Sequence, residues 1–93
     1  MIASYRDKRT LEFAMGARVK AFESIAQKLS MKLDQLDAAT ALADLKLPGN
    51  RLEVLKGDRK GQFSIRVNDQ WRICFEWPRG AAGPMNVEVV DYH

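Results

Sequence analysis

The residue types best suited to chemistry in this 93-residue sequence form two groups: the cations Lys56, Arg66 and Arg72, and the consecutive Asp91, Tyr92 and His93. An imidazole titrates near neutral pH, so it gives or takes a proton under ordinary conditions. A guanidinium presents a planar fork of donors that matches phosphate oxygens. Proton transfer beside fixed cations suits a reaction on a dianionic or polyanionic ligand. Other catalytic sets are missing from the sequence. It has no Gly-rich phosphate loop and no close pair of carboxylates in a recognisable frame. Cys74 is the single cysteine and His93 the single histidine, which excludes an internal disulfide framework, a Cys/His nucleophile pair and the usual Cys/His zinc sites. The expectation is chemistry that uses neither a metal nor a cofactor.

These side chains have to be positioned by secondary structure, and the hydrophobic pattern indicates which. From Val19 to Leu36 the apolar residues Val19, Phe22, Ile25, Ala26, Leu29, Leu33 and Leu36 recur at steps of three and four, the period of a helix with one buried stripe. Lys20, Glu23, Gln27, Lys28, Lys32, Asp34 and Gln35 make its outer face. A shorter helix is expected over Lys8 to Met15, ended by Gly16, and one more turn over Thr40 to Leu47 before the Pro48-Gly49-Asn50 loop.

Beyond Arg51 the period changes to two. Leu52 and Val54, then Phe63, Ile65 and Val67, then Trp71, Ile73, Phe75 and Trp77, then Val87 and Val89 mark four strands joined by short turns. Helices followed by a meander predict an α+β two-layer domain spanning residues 1–93, with N-terminal helices packed on a C-terminal antiparallel sheet. A two-residue turn at Asn68-Asp69 would set Ile65 opposite Arg72 and mix the core and solvent sides. A three-residue loop instead opposes Phe63 to Phe75, Ile65 to Ile73 and Val67 to Trp71, and on the other face Ser64 to Cys74 and Arg66 to Arg72. Like charges directly across a ladder are unfavourable, so folding does not ask for that arginine pair; an anionic ligand does. Trp71 and Trp77 share the parity of Ile73 and Phe75 and read as core, and Cys74 as an inert small strand residue.

Length and composition set the outer bounds. With 46% hydrophobic residues a chain of this size can bury a core without staples. No apolar run approaches a membrane span and no secretory signal is evident, so a reducing cytoplasm is the expected compartment, with no membrane partner. The net charge is +3 with a pI near 9.2, a mild bias toward nucleic acid. Arg51, Lys56, Arg59, Lys60, Arg66 and Arg72 outnumber Glu53, Asp58 and Asp69 in the stretch 51–72.

The segment from Gly49 to Phe75, carrying Leu55-Lys56-Gly57-Asp58-Arg59 and Ser64-Ile65-Arg66-Val67-Asn68-Asp69-Gln70-Trp71-Arg72, resembles the HigB-like branch of the RelE toxin superfamily. So do the run Val87-Glu88-Val89-Val90-Asp91-Tyr92-His93 and the opening Tyr5-Arg6-Asp7-Lys8. The resemblance implies a small α+β endoribonuclease of a type II toxin–antitoxin system that cuts messenger RNA in the ribosomal A site. It further implies a cognate HigA-like, DNA-binding antitoxin. Carried onto this sequence, Arg66 and Arg72 bind the scissile phosphate and its neighbours, with Arg51 and Lys60 extending the phosphate-binding set. Lys56 adds positive charge or assists proton transfer. His93 is general acid or base, oriented by Asp91, with Tyr92 beside it for stacking or proton transfer. A second histidine that some HigB-like toxins carry near the Leu-Lys-Gly strand is missing here. Two other readings share the fold: a ParE-like toxin that inhibits gyrase, against which the Asp-Tyr-His run argues, and a non-catalytic RNA-binding module using the same basic face.

Overall fold

The computed structural model describes residues 1–92; the sequence-predicted catalytic His93 lies outside the described residues. Helix α1 spans Lys8–Ala14, a 3-10 turn over Lys20–Ile25 runs directly into α2 at Ala26–Ala38, and a second 3-10 turn covers Leu42–Leu45. The strands follow as β1 Glu53–Val54, β2 Gln62–Arg66, β3 Trp71–Glu76 and β4 Met85–Asp91, hydrogen-bonded in that order as antiparallel neighbours. This is the expected α+β arrangement. Among the described residues no helix is long and apolar enough to cross a membrane.

The two periods in the sequence meet in one core. Leu29, Leu33 and Leu36 of α2, with Phe22 and Ile25, bury against Ile65, Ile73, Phe75, Val87 and Val89 of the sheet. Trp71 belongs to the same core and takes Phe22 edge-on at 5.5 Å between ring centroids. Trp77 packs at the margin, with its indole N–H donating to the Ala81 carbonyl at 3.2 Å. Gly16 ends the α1 segment at φ +97°, a conformation that glycine adopts without steric cost.

Four features depart from the sequence reading. The first turns of the expected Val19–Leu36 helix are 3-10 rather than α. With three residues per turn, that geometry stacks Phe22 and Ile25 on the side that faces the sheet. Lys32, assigned to the outer face, is buried: its Nζ donates to Asn50 Oδ1, and Asn50 Nδ2 donates to Gln35 Oε1 at 3.2 Å and to the Leu45 carbonyl at 3.1 Å. The Asn50 carbonyl in turn accepts from Arg66 N at 2.6 Å, so one polar knot fastens α2, the Leu42–Leu45 turn and β2 together. In β1 the expected Leu52 and Val54 stripe holds only in part: Leu52, just before the strand, packs against the core, but Val54 does not. The strand is two residues long at the sheet edge, where Val54 is 69% exposed and Leu55 is the buried residue. Finally, residues 3–6 run beside β4, with Tyr5 bridging Val87 in parallel and Arg6 N donating to the Val87 carbonyl at 2.9 Å. That contact shields part of an otherwise open edge.

The hairpin register is as expected. Val67 N donates to the Trp71 carbonyl at 2.9 Å around the Asn68-Asp69-Gln70 loop, and the pairs are Phe63 with Phe75, Ser64 with Cys74, Ile65 with Ile73 and Arg66 with Arg72.

Candidate active site

Register places Arg66 and Arg72 side by side on the sheet face away from the helices, and local chemistry then treats them differently. Arg72 is only 8% exposed. Its Nε donates to Ser64 Oγ at 2.8 Å and its Nη2 to the Arg51 carbonyl at 2.7 Å, while Glu53 Oε1 lies 3.4 Å from Nη2. The Tyr92 ring completes the setting, with its centroid 5.6 Å from the guanidinium carbon. Arg66, by contrast, is partly exposed and ion-pairs with Asp69 of the hairpin loop. Each arginine thus has its own carboxylate, which is how the fold tolerates two like charges across one ladder. Hydrogen bonding to Arg66 holds the Asp69 carboxyl below the usual carboxylate range, with Arg51 and Lys28 adding in the same direction.

The sequence-predicted Asp91 and Tyr92 arrive beside these arginines because β4 is paired with β3, Trp71 opposite Asp91 and Arg72 opposite Val90. Gln70 adds to the hold on this segment: its carbonyl accepts from Tyr92 N at 2.6 Å and its Nε2 donates to Asp91 Oδ2 at 3.0 Å. Sequence reasoning treated Gln70 only as a turn residue. Its own place is set by Asn68, whose Oδ1 accepts from Gln70 N at 2.9 Å and Trp71 N at 2.7 Å.

Of the remaining sequence-predicted site residues, Arg51 contributes its carbonyl to Arg72 while its side chain is exposed; its backbone sits at φ +45°. Lys56 and Lys60 are exposed and flank the 3-10 turn Gly57–Arg59. Leu55 N donates to the Gln62 carbonyl, which puts that turn at the opposite end of β2 from Arg66. The two ends of β2 are four residue steps apart, about 13 Å of backbone. The structure therefore groups Arg51, Arg66, Arg72, Asp91 and Tyr92 at one end of the sheet and leaves Lys56 and Lys60 at the other.

Sequence reasoning missed two sets of charges on or near this face. Arg59 donates to Gln62 Oε1 and Glu88 Oε1, both at 3.1 Å, and Arg6 pairs with Glu76 at 3.1 Å and Glu88 at 3.8 Å. Cys74 is fully buried on this face, and burial pushes its thiol up, which keeps it protonated and unreactive as expected. Lys28 and Lys32 of α2 add positive charge near Arg66. Burial first, and then Lys28 and Arg66, pull the Lys32 ammonium below its ordinary pKa. The four-residue spacing of these lysines was readable; their approach to the hairpin was not.

Helices on one sheet face, with an arginine-centred polar network on the other, define a RelE-like toxin architecture. The same fold is seen in the YoeB-YefM complex from Staphylococcus aureus (TM-score 0.62, 17% identity, covering 100% of this chain and 98% of that one). It is seen again in the YoeB/ParE toxin from Agrobacterium tumefaciens (TM-score 0.54, 16% identity, 97% and 92%). Within that class, the family described as the RelE-like toxin of the type II toxin-antitoxin system HigB matches residues 4–93, and this chain belongs to it. Toxin HigB-1 of Vibrio cholerae is 53% identical over 60 residues, a stretch spanning 63% of each chain and so just under two thirds of that relative. Endoribonuclease HigB of Proteus vulgaris is 35% identical over the full length of both chains.

Proposed function

We propose that this toxin is an endoribonuclease that cuts messenger RNA in the ribosomal A site and is neutralised by a cognate HigA-like, DNA-binding antitoxin. The observation that carries the reading is the setting of Arg72, a buried guanidinium fixed by Ser64, the Arg51 carbonyl and Glu53, and stacked by Tyr92 next to Asp91. The reaction is a metal-free one in which the RNA 2′-hydroxyl attacks the adjacent phosphorus. One proton leaves that hydroxyl, one reaches the departing 5′-oxygen, and negative charge grows on the non-bridging oxygens. Arg72 meets that charge without reorganising, which is where a preorganised cation is most effective. His93, the residue after Tyr92, moves a proton as acid or base, with Asp91 orienting it. Arg66 and the exposed Arg51 receive neighbouring phosphates, and Lys56 and Lys60 extend the positive field along the strand. A single histidine makes an unassisted catalyst slow, and a ribosome that aligns the message supplies orientation worth several kcal/mol.

The test is primer extension on messages held by ribosomes with an empty A site, against free RNA and a His93→Ala control. Cuts that need both the ribosome and His93 support the reading. Intact RNA in every lane, with gyrase inhibited by the same preparation, overturns it.

A further inference from the structure

Three groups hold the Arg72 guanidinium through hydrogen bonds or an ion pair, and only one of them is placed by a long strand. Ser64 lies in β2, so hairpin pairing with β3 brings it to Arg72. The Arg51 carbonyl and the Glu53 carboxylate come from the stretch 51–54, where β1 is two residues long at the sheet edge. So short a ladder is a weak anchor. Asn50 supplies a stronger one, because its side chain is fully buried and every polar atom it carries is engaged. Its Oδ1 accepts from Lys32, and its Nδ2 donates to Gln35 Oε1 and the Leu45 carbonyl. Its backbone N–H donates to the Leu47 carbonyl at 3.1 Å, and its own carbonyl accepts from Arg66 N. The next residue, Arg51, stands at φ +45°, a left-handed backbone that an arginine keeps only where its surroundings impose it. Lys32 points the same way. An apolar side chain of similar volume would fill its buried site without desolvating an ammonium, so packing alone does not ask for a lysine there.

We propose that Asn50, locked to α2 through Lys32 and Gln35, is a positioning residue for Arg72. It acts through the residues that follow it. With Asn50 clamped, the Arg51 carbonyl is aimed at Arg72 Nη2, Glu53 reaches the same nitrogen two residues further on, and the Asn50 carbonyl fixes β2 at Arg66. The plane of the guanidinium is therefore set from the helix layer as well as from the sheet. This inference rests on RNA cleavage at Arg72.

The test compares the wild type with Asn50→Asp, Gln35→Ala and Leu29→Ala. Asn50→Asp keeps the acceptor for Lys32 and sets an oxygen against Gln35 Oε1 and the Leu45 carbonyl, where a donor stood. Gln35→Ala removes one partner of Asn50 at a half-buried helix position, and it carries the test if Asn50→Asp does not fold. Leu29→Ala lowers stability without touching Asn50. Two quantities are read: kcat and KM on programmed ribosomes, and the Arg72 Nε–H resonance of the free protein, which donation to Ser64 shields from exchange. Asn50→Asp is expected to lower kcat about tenfold with KM nearly unchanged, since small misplacements of a catalytic group are costly. It also shifts the Arg72 resonance and speeds its exchange with water. Gln35→Ala does the same to a smaller degree, and Leu29→Ala does neither per folded molecule. An Arg72 resonance that stays put in every folded variant of Asn50 and Gln35, unchanged kcat in those variants, or the same kcat loss in Leu29→Ala would each overturn the proposal. Cutting by the wild type with an unmoved resonance in the variants removes the positioning role alone. A resonance that moves while wild-type protein leaves RNA intact removes the endonuclease reading alone.

Discussion

The two faces of the sheet are built from the same three long strands and are both largely buried, yet they are held by different physics. Ile65, Ile73, Phe75, Val87 and Val89 face the helices and are excluded from water by packing alone. Ser64, Arg72 and Cys74, one position along in the same ladder, are just as shielded, but by directional hydrogen bonds and ion pairs from Arg51, Glu53, Arg59 and Glu88. Packing tolerates any side chain of the right size and shape. A hydrogen-bonded guanidinium tolerates almost no replacement, because every donor it loses leaves a buried acceptor behind. The apolar face therefore supplies packing, and the polar face holds the residues to which the proposed reaction is assigned.

That division can be broken by variants placed on either side. Leu29→Ala, in the fully buried stripe of α2, should cost about 2–5 kcal/mol in urea unfolding while leaving cleavage per folded molecule unchanged. Equal loss of both quantities would deny the separation. Arg72→Ala should lower ribosome-dependent cleavage by about 10²–10³-fold, by analogy with removal of a preorganised transition-state donor. Arg72→Lys should rescue little, because an ammonium cannot serve Ser64, the Arg51 carbonyl and a phosphate in one plane. Gln70→Ala removes the side-chain hydrogen bond to the Asp91 carboxylate, keeps the backbone bond to Tyr92 N and leaves the arginines untouched; it should lower kcat about tenfold with KM nearly unchanged, which single-turnover kinetics would resolve.

Two smaller effects sharpen the picture at the surface. Asp69→Asn removes the carboxylate that competes with phosphate for Arg66, so RNA binding should tighten no more than a few-fold, and the gain should vanish at high salt. Asp44 lies away from both faces. Its carboxylate accepts from Thr40 N at 3.0 Å and Ala41 N at 3.2 Å, and those backbone hydrogen bonds hold its pKa below the ordinary value. The contribution is present above the ordinary carboxylate pKa and lost as pH falls through the lowered one. Denaturation midpoints of the wild type and Asp44→Asn should accordingly differ near neutral pH and converge in strong acid.

The parts that were legible in the sequence share one property: the information is local. The strand residues from Phe63 to Phe75 alternate strictly, so face and register followed from the parity argument at Asn68-Asp69-Gln70 alone. Arg66 and Arg72 became neighbours by the same step. The parts that were not legible depend on what a residue meets far along the chain. Lys32 looks solvent-facing by period, and only the Asn50 loop folding back onto α2 makes it a buried donor. Gln70 looks like turn filler until β4 lies alongside β3 and brings Asp91 and Tyr92 against it. Val54 alternates correctly and is still exposed, since alternation names a face but not whether a helix covers that end of it.

By itself, the amino-acid sequence determined the class of fold, the helix stripe, the hairpin register and the list of residues whose types suit phosphate and proton chemistry. Periodicity, turn chemistry and residue type express themselves over a few neighbouring positions. Only the tertiary structure decided how deeply each of those cations is buried and which groups hold it. It buried Arg72 under Glu53 and the Tyr92 ring, left Arg66 on an exposed carboxylate, and separated Lys56 and Lys60 from both along the length of β2. Burial and hydrogen-bond partners across a sheet depend on strands that meet after dozens of intervening residues, and no local pattern encodes that meeting.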